Sequence, residues 1–402
     1  MAQTLRLKRF SNVALLKRID NQLLLEFLAP YRAFLSDQRG MPWPDDPKQL
    51  DHAALADILM KPGVDTPDRL LDALYFVDGL ADANCYDRIL QEADDAGIEL
   101  GTDELSPEDL TLRIWLYDPD ILERVHAEQY RVKPKTFQSF YAVTSQRPDL
   151  QFPTADVLSG LEDELNEWFD FKKKGRGSRV FPFSQADGFW FLVRHGQQIK
   201  REGTVESNGE SGSVFYRPEK FDVLIYYPHT GELAIFTETK GERKTYCKLF
   251  GKHLFGDEFF FAFDPYTSKY SLTPLITDGR SSLVCSDVGG ISKITLYELH
   301  IQHQSAQKDI EIRRADDVFQ SLIDHHRVLQ DEQESTSLIK AKFRVAFDGG
   351  RERSITITPP NIASFDREND NWMINEWLTK RGFVIRSAEE SDATVSPVLE
   401  VA

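Results

Sequence analysis

Asp222, Glu238 and Lys240 lie in one short stretch and carry groups that could act together. Two carboxylates held at one spot repel each other, and a hard divalent cation relieves that repulsion. Mg²⁺ or Mn²⁺ takes oxygen ligands, keeps part of its water shell, and can turn water into a nucleophile. A lysine beside such a cation can orient that water or stabilise charge developing on a phosphorane. The set is suited to hydrolysing a phosphodiester.

The elements that must position these groups are legible nearby. Asp222 opens an apolar run, Val223 to Tyr227, and Pro228-His-Thr-Gly231 has turn chemistry. Leu233 to Phe236 forms a second apolar run that ends in Glu238-Thr239-Lys240. Side chains alternate along a strand, which places Glu238 and Lys240 on one face. Pairing about the turn brings Asp222 to the same end. The spacing then predicts a helix in which Lys244, Lys248 and Lys252 form one row, with Tyr246, Leu249, Phe250 and His253 on another side. The lysine row suits a nucleic-acid backbone; equally, it suits a plain solvated face.

The order Asp, apolar hairpin, Glu-x-Lys, helix resembles the core of the PD-(D/E)XK nuclease superfamily over about a tenth of the chain. Where that family often has Pro just before the Asp, this chain has Phe221, with Pro218 further back. The resemblance implies a restriction-endonuclease-like α+β or α/β fold, with a central mixed sheet flanked by helices. It implies Asp222 and Glu238 as ligands of Mg²⁺ or Mn²⁺ and Lys240 as the catalytic lysine. It also implies a nucleic-acid substrate, with DNA expected, and a bacterial antiviral-defence or restriction-type setting. The competing expectation is a non-catalytic nucleic-acid-binding or complex-assembly protein built on the same sheet.

Composition bounds these readings. With 402 residues, 41% hydrophobic and 28% charged, the chain can form two or three globular domains. No apolar run has membrane length, and the first residues lack a signal-peptide core. Cys85, Cys247 and Cys285 have no paired spacing, which argues against a disulfide framework or zinc site and fits a reducing cytoplasm. No phosphate-binding Gly-rich loop with Lys-Ser/Thr and no Gly-x-Ser-x-Gly occurs, which argues against ATP hydrolysis or an α/β-hydrolase. The net charge of −17 is uneven. Residues 1–170 carry 17 Lys+Arg against 32 Asp+Glu, whereas 171–253 carry 15 against 9. A local basic surface matters more to a phosphate backbone than the global sum.

Residues 1–150 read as an acidic helical domain, with starts signalled at Asp51, Thr66-Pro67-Asp68, Ser106-Pro107 and Asp118-Pro119. Its expected role is contact with a protein partner or self-association. Residues 151–330 read as the nuclease-like domain. It opens with a helix over 155–171, whose Glu162 and Glu164 are either extra site acids or solvated edge residues. A basic loop, 172–179, is either a phosphate grip or a solvated charge run. Strands are expected at 258–263, 270–276 and 292–299. Residues 338–387 read as a small separate β-hairpin and helix module, and 388–402 as a loose tail.

Overall fold

The computed structural model describes residues 7–61, 65–101, 105–131, 133–143, 150–205, 209–263, 268–304, 306–329, 336–367 and 369–385. The expected loose tail, 388–402, lies outside them. The chain divides into two compact units, 1–130 and 131–402, so the boundary falls before the first strand rather than near 150.

The first unit is helical: α1 (Lys8–Ser11), α2 (Val13–Leu16), α3 (Asn21–Leu28), α4 (His52–Leu59), α5 (Asp68–Leu80), α6 (Ala83–Asp95), α7 (Pro107–Tyr117) and α8 (Pro119–Arg131). Several starts follow capping chemistry, although α5 begins at Asp68 with Pro67 rather than Thr66 at its cap position and no side-chain cap bond. Asp51, Asp82 and Ser106 each accept backbone N–H groups of the first turn that the helix itself leaves unpaired. Apolar faces then converge in one cluster that includes Phe10, Leu24, Phe27, Leu55, Leu74, Ile89 and Leu112. Among the described residues no helix is long and apolar enough to cross a membrane.

The second unit is α+β. Its strands are β1 (Thr136–Tyr141), β2 (Arg179–Gln185), β3 (Gly188–Gly196), β4 (Lys200–Val205), β5 (Ser211–Tyr216), β6 (Glu219–Tyr227), β7 (Glu232–Phe236), β8 (Ile291–His303), β9 (Ile310–Arg314), β10 (Thr336–Phe347), β11 (Glu352–Thr358) and β12 (Ile362–Ser364). Ten of them form one sheet in the order β2-β3-β6-β7-β1-β12-β11-β10-β8-β9, while β4 and β5 pair separately. The helices are α9 (Ala155–Phe171), α10 (Lys240–Phe255), α11 (Thr273–Thr277), α12 (Val318–Asp324) and α13 (Asn371–Lys380).

Two expectations change here. Every strand pair in the sheet is antiparallel, so the sheet is not mixed. Short hairpins dominate its connections, and hairpins can only join antiparallel strands. Nor is 338–387 a separate module. The β10–β11 hairpin has two edges to satisfy; β8 takes one and β12 the other, and β12 continues to β1. Its Phe343, Val345, Ile357 and Trp377 share one buried cluster with Leu296, Leu299 and Ile301. A two-stranded hairpin alone buries too little to stand by itself.

The expected strand at 258–263 is a single bridge, Ala142 to Phe261. Gly256 ends α10 in a left-handed conformation (φ 74°), and the chain turns back so that Phe260 stacks on Phe255 at 4.0 Å. Two backbone bonds tie the run to the end of β1 and the residues after it, Val143 N–H to the Phe260 carbonyl at 2.8 Å and Ala262 N–H to the Tyr141 carbonyl at 3.0 Å, while its rings pack on α10. Residues 273–277 are helical where a strand was expected, with Pro274 in the first turn.

Candidate metal centre at the open end of the β6–β7 hairpin

The hairpin forms as its sequence predicts, with Val223 opposite Phe236 and Tyr227 opposite Glu232. In β3, Val193 lies opposite Asp222 and His195 opposite Lys220. Alternation therefore puts Lys220, Asp222 and His195 on one face. That face packs against α9 and α10: Phe169 of α9 stacks on His195 at 4.0 Å, and Tyr246 of α10 reaches Asp222.

Asp222 is fully buried. Its Oδ2 accepts from Tyr246 Oη at 2.7 Å and Thr237 Oγ1 at 2.8 Å, and lies 3.1 Å from His195 Nε2. His195 Nδ1 faces the Gly196 carbonyl at 2.9 Å. Both ring nitrogens thus face oxygen atoms, which fixes the orientation of the ring. Burial and the neighbouring Asp222 charge push the Tyr246 phenol well above its ordinary range, so it remains a donor.

The second buried acid is not the expected one. β7 stops at Phe236, and Thr239 is the N-cap of α10, so Glu238-x-Lys240 does not continue a strand. Glu238 is 70% exposed, and Lys240 is the exposed first residue of α10. Glu242 instead turns inward and is fully buried. It closes a capping box: Thr239 Oγ1 accepts from the Glu242 N–H at 3.1 Å, and the Glu242 carboxylate accepts from the Thr239 N–H at 3.0 Å. The carboxylate also accepts from Lys174 Nζ and lies 2.6 Å from Thr237 Oγ1, whose single proton is shared between Glu242 and Asp222. Burial alone would raise the Glu242 pKa, but Lys174, Thr237 and the Lys220 charge outweigh it and hold the group at about 2.

Lys220 sits among the acids. Its Nζ is 3.1 Å from Asp222 Oδ1, 3.5 Å from Glu238 Oε2 and 3.7 Å from Glu242 Oε2. Burial disfavours the ammonium, yet Asp222 and Glu242 raise its pKa above the ordinary value. Asp222 and Glu238 are therefore gathered at one end of the hairpin, with a lysine ammonium between them. Asp222 Oδ1 and Lys220 Nζ are buried, within ion-pair distance, and neither has a hydrogen bond.

Oxygen donors dominate the cluster, and His195, Asp222 and Glu242 each offer one ligand atom within 4.8 Å of the others. Carboxylate oxygens with one imidazole suit a hard or borderline divalent cation. Asp222 Oδ1 faces the Lys220 ammonium at 3.1 Å, and that is the position a cation would take. A cation there would take over the balancing charge that Lys220 supplies.

The remaining candidates distribute as follows. Lys244, Lys248 and Lys252 lie on the exposed side of α10. Lys248 pairs with Glu258 at 2.9 Å and Lys252 with Glu164 at 2.6 Å. Glu164 thus serves α10, Glu162 accepts the Val180 N–H at 2.7 Å, and neither acid enters the cluster. Of the basic loop, Lys174 turns in to Glu242, whereas Lys172 lies over the Trp168 and Phe171 rings.

Three participants escaped the motif. Lys220 precedes Asp222 by two, the strand spacing that shares a face, and Thr239-x-x-Glu242 is the capping-box spacing. His195 needed the β3–β6 register, which local spacing does not carry. No protein-family model matches the chain, and no curated protein sequence matches it either.

Proposed function

We propose that this chain is a metal-dependent nuclease that hydrolyses phosphodiester bonds of nucleic acid, with DNA as the favoured substrate. The observation that carries the reading is the convergence of Asp222, Glu238 and Glu242 on one cationic position at the hairpin end. Asp222 and Glu242, joined by Glu238, would hold Mg²⁺ or Mn²⁺. Such an ion supplies charge neutralisation at phosphorus and a water of lowered pKa. Tyr246, Thr237 and His195 orient Asp222 through its Oδ2, which turns Oδ1 to the Lys220 ammonium that a cation would displace. Lys240, at the positive end of α10, favours a phosphate near the site. Lys244 is open to solvent, and exposed pairs such as Lys248–Glu258 are weak enough to exchange for phosphates.

A second reading has its own support. Asp222 and Glu242 are fully buried, and Lys220 and Lys174 already balance their charge. A non-catalytic nucleic-acid-binding protein would use the same cluster only to hold α10 against the sheet. The two separate in one assay: purified protein with plasmid, single-stranded DNA or RNA, in Mg²⁺, Mn²⁺ or EDTA. The nuclease reading expects cleavage only with metal, reduced about 100-fold or more in Asp222→Asn and Lys240→Ala. Cleavage that survives both substitutions contradicts the site, and binding without cleavage in any metal supports the second reading.

A further inference from the structure

The ten-stranded sheet ends in β2 on one side and β9 on the other. Free edges template further strand pairing unless blocked. Pro182 sits in the middle of β2, and proline cannot donate to a ladder. β9, Ile310-Glu-Ile-Arg-Arg314, has no proline, and among the described residues no strand pairs with its outer edge.

The polarity of that edge follows from the β8–β9 register. The Asp309 carbonyl accepts from the His303 N–H at 2.9 Å, and the Ala315 N–H donates to the Tyr297 carbonyl at 3.1 Å. Inward and outward groups alternate along an antiparallel strand. Glu311, opposite Ile301, and Arg313, opposite Leu299, therefore also bond inward. The backbone groups of Ile310, Ile312 and Arg314 point outward. Ile310 and Ile312 also expose about half of their surface, 51% and 57%.

We propose that β9 pairs with β9 of a second copy of this chain, antiparallel about a two-fold axis at Ile312. The sequence is self-complementary in that register. Ile312 meets its own copy, Ile310 meets Arg314, and Glu311 meets Arg313 on the other chain. The outward groups fall into hydrogen-bonded pairs, giving about six interchain bonds. Glu311 and Arg313 occupy the non-hydrogen-bonded positions, where cross-strand side chains approach most closely. Within one chain Glu311 already pairs with Arg313 at 2.7 Å and Arg327 at 3.5 Å, so the contact across the axis joins two existing pairs into one network of alternating charge. A shift by one residue would oppose Glu311 to Ile312 or to Arg314 and take the outward groups out of register. The two sheets join into one across the axis, an isologous contact that closes on itself.

Such a contact is small, so a dissociation constant of about 10 µM is expected. Sedimentation velocity on the full chain, from about 1 to about 200 µM, reads it. A monomer-to-dimer transition is expected. Ile312→Pro removes an outward N–H that β8 does not use, so the monomer keeps its fold while dimerisation is lost. Glu311→Arg or Arg313→Glu alone opposes like charges across the axis as well as within β9, so with each monomer first shown to keep its unfolding midpoint, the dimer weakens by about tenfold or more. The double exchange, Glu311→Arg with Arg313→Glu, restores it to within about threefold. A chain that stays monomeric throughout overturns the proposal. So does a dimer that tolerates Ile312→Pro while folded, or a double exchange no better than either single change.

Discussion

Removing the Lys220 ammonium leaves Asp222 and Glu242 buried close together with less opposing charge. An acid that loses its buried partner costs far more than the intact pair contributes. Lys220→Ala is therefore expected to destabilise the protein by about 3 kcal/mol in urea unfolding, and added Mn²⁺ to return part of that loss. Unchanged stability would show that the ammonium does not balance these acids. Glu242 sets a pH dependence of known sign. Its folded-state pKa of about 2 lies below the ordinary carboxylate value of 4.5, so its contribution is full above that value. It is lost as pH falls from there toward the folded pKa, and amounts to at most about 3 kcal/mol. Glu242→Gln is expected to flatten the stability profile between about pH 5 and about pH 3. A mutant profile as steep as that of the wild type would place the acid sensitivity elsewhere, for example at Glu298, also held at about 2 among Lys342, His300 and Arg314.

Thr239 links the site to its helix. It caps α10 and, through the reciprocal bonds of the capping box, fixes Glu242 beside Lys174 and Thr237. Thr239→Ala is expected to cost about 1 kcal/mol, read as a lowered unfolding midpoint at neutral pH. No change would mean that the cap is redundant with the Lys174 contact. What was legible at this scale was local. Ser106-Pro107 and Asp118-Pro119 mark helix starts because an oxygen cap and a first-turn proline answer unpaired N–H groups. The 155–171 helix and the β6–β7 hairpin were equally readable from periodicity and turn chemistry. Alternation puts Glu238 and Lys240 on one strand face only if the strand continues past Phe236, where β7 ends. The inward acid was set by the helix cap instead.

The order of the large sheet depends on contacts far apart in sequence, such as Thr136 with Ser364, which no local pattern encodes. That is why residues 338–387 resembled a module of their own. Their strands fill the middle of the sheet, so a chain cut after residue 330 removes one neighbour each from β8 and β1 and splits the sheet in two. The truncated protein is expected to lose cooperative unfolding of its second unit in calorimetry; a retained sharp transition would restore the separate-module view. At the level of the whole molecule, the decisive question is whether the three acids around Lys220 accept a metal. Electron paramagnetic resonance of added Mn²⁺ counts free and bound ion directly. The nuclease reading predicts about one bound Mn²⁺ per chain, lost in the Asp222→Asn, Glu242→Gln double variant. Manganese that stays free at millimolar concentration over the folded wild-type protein would contradict it.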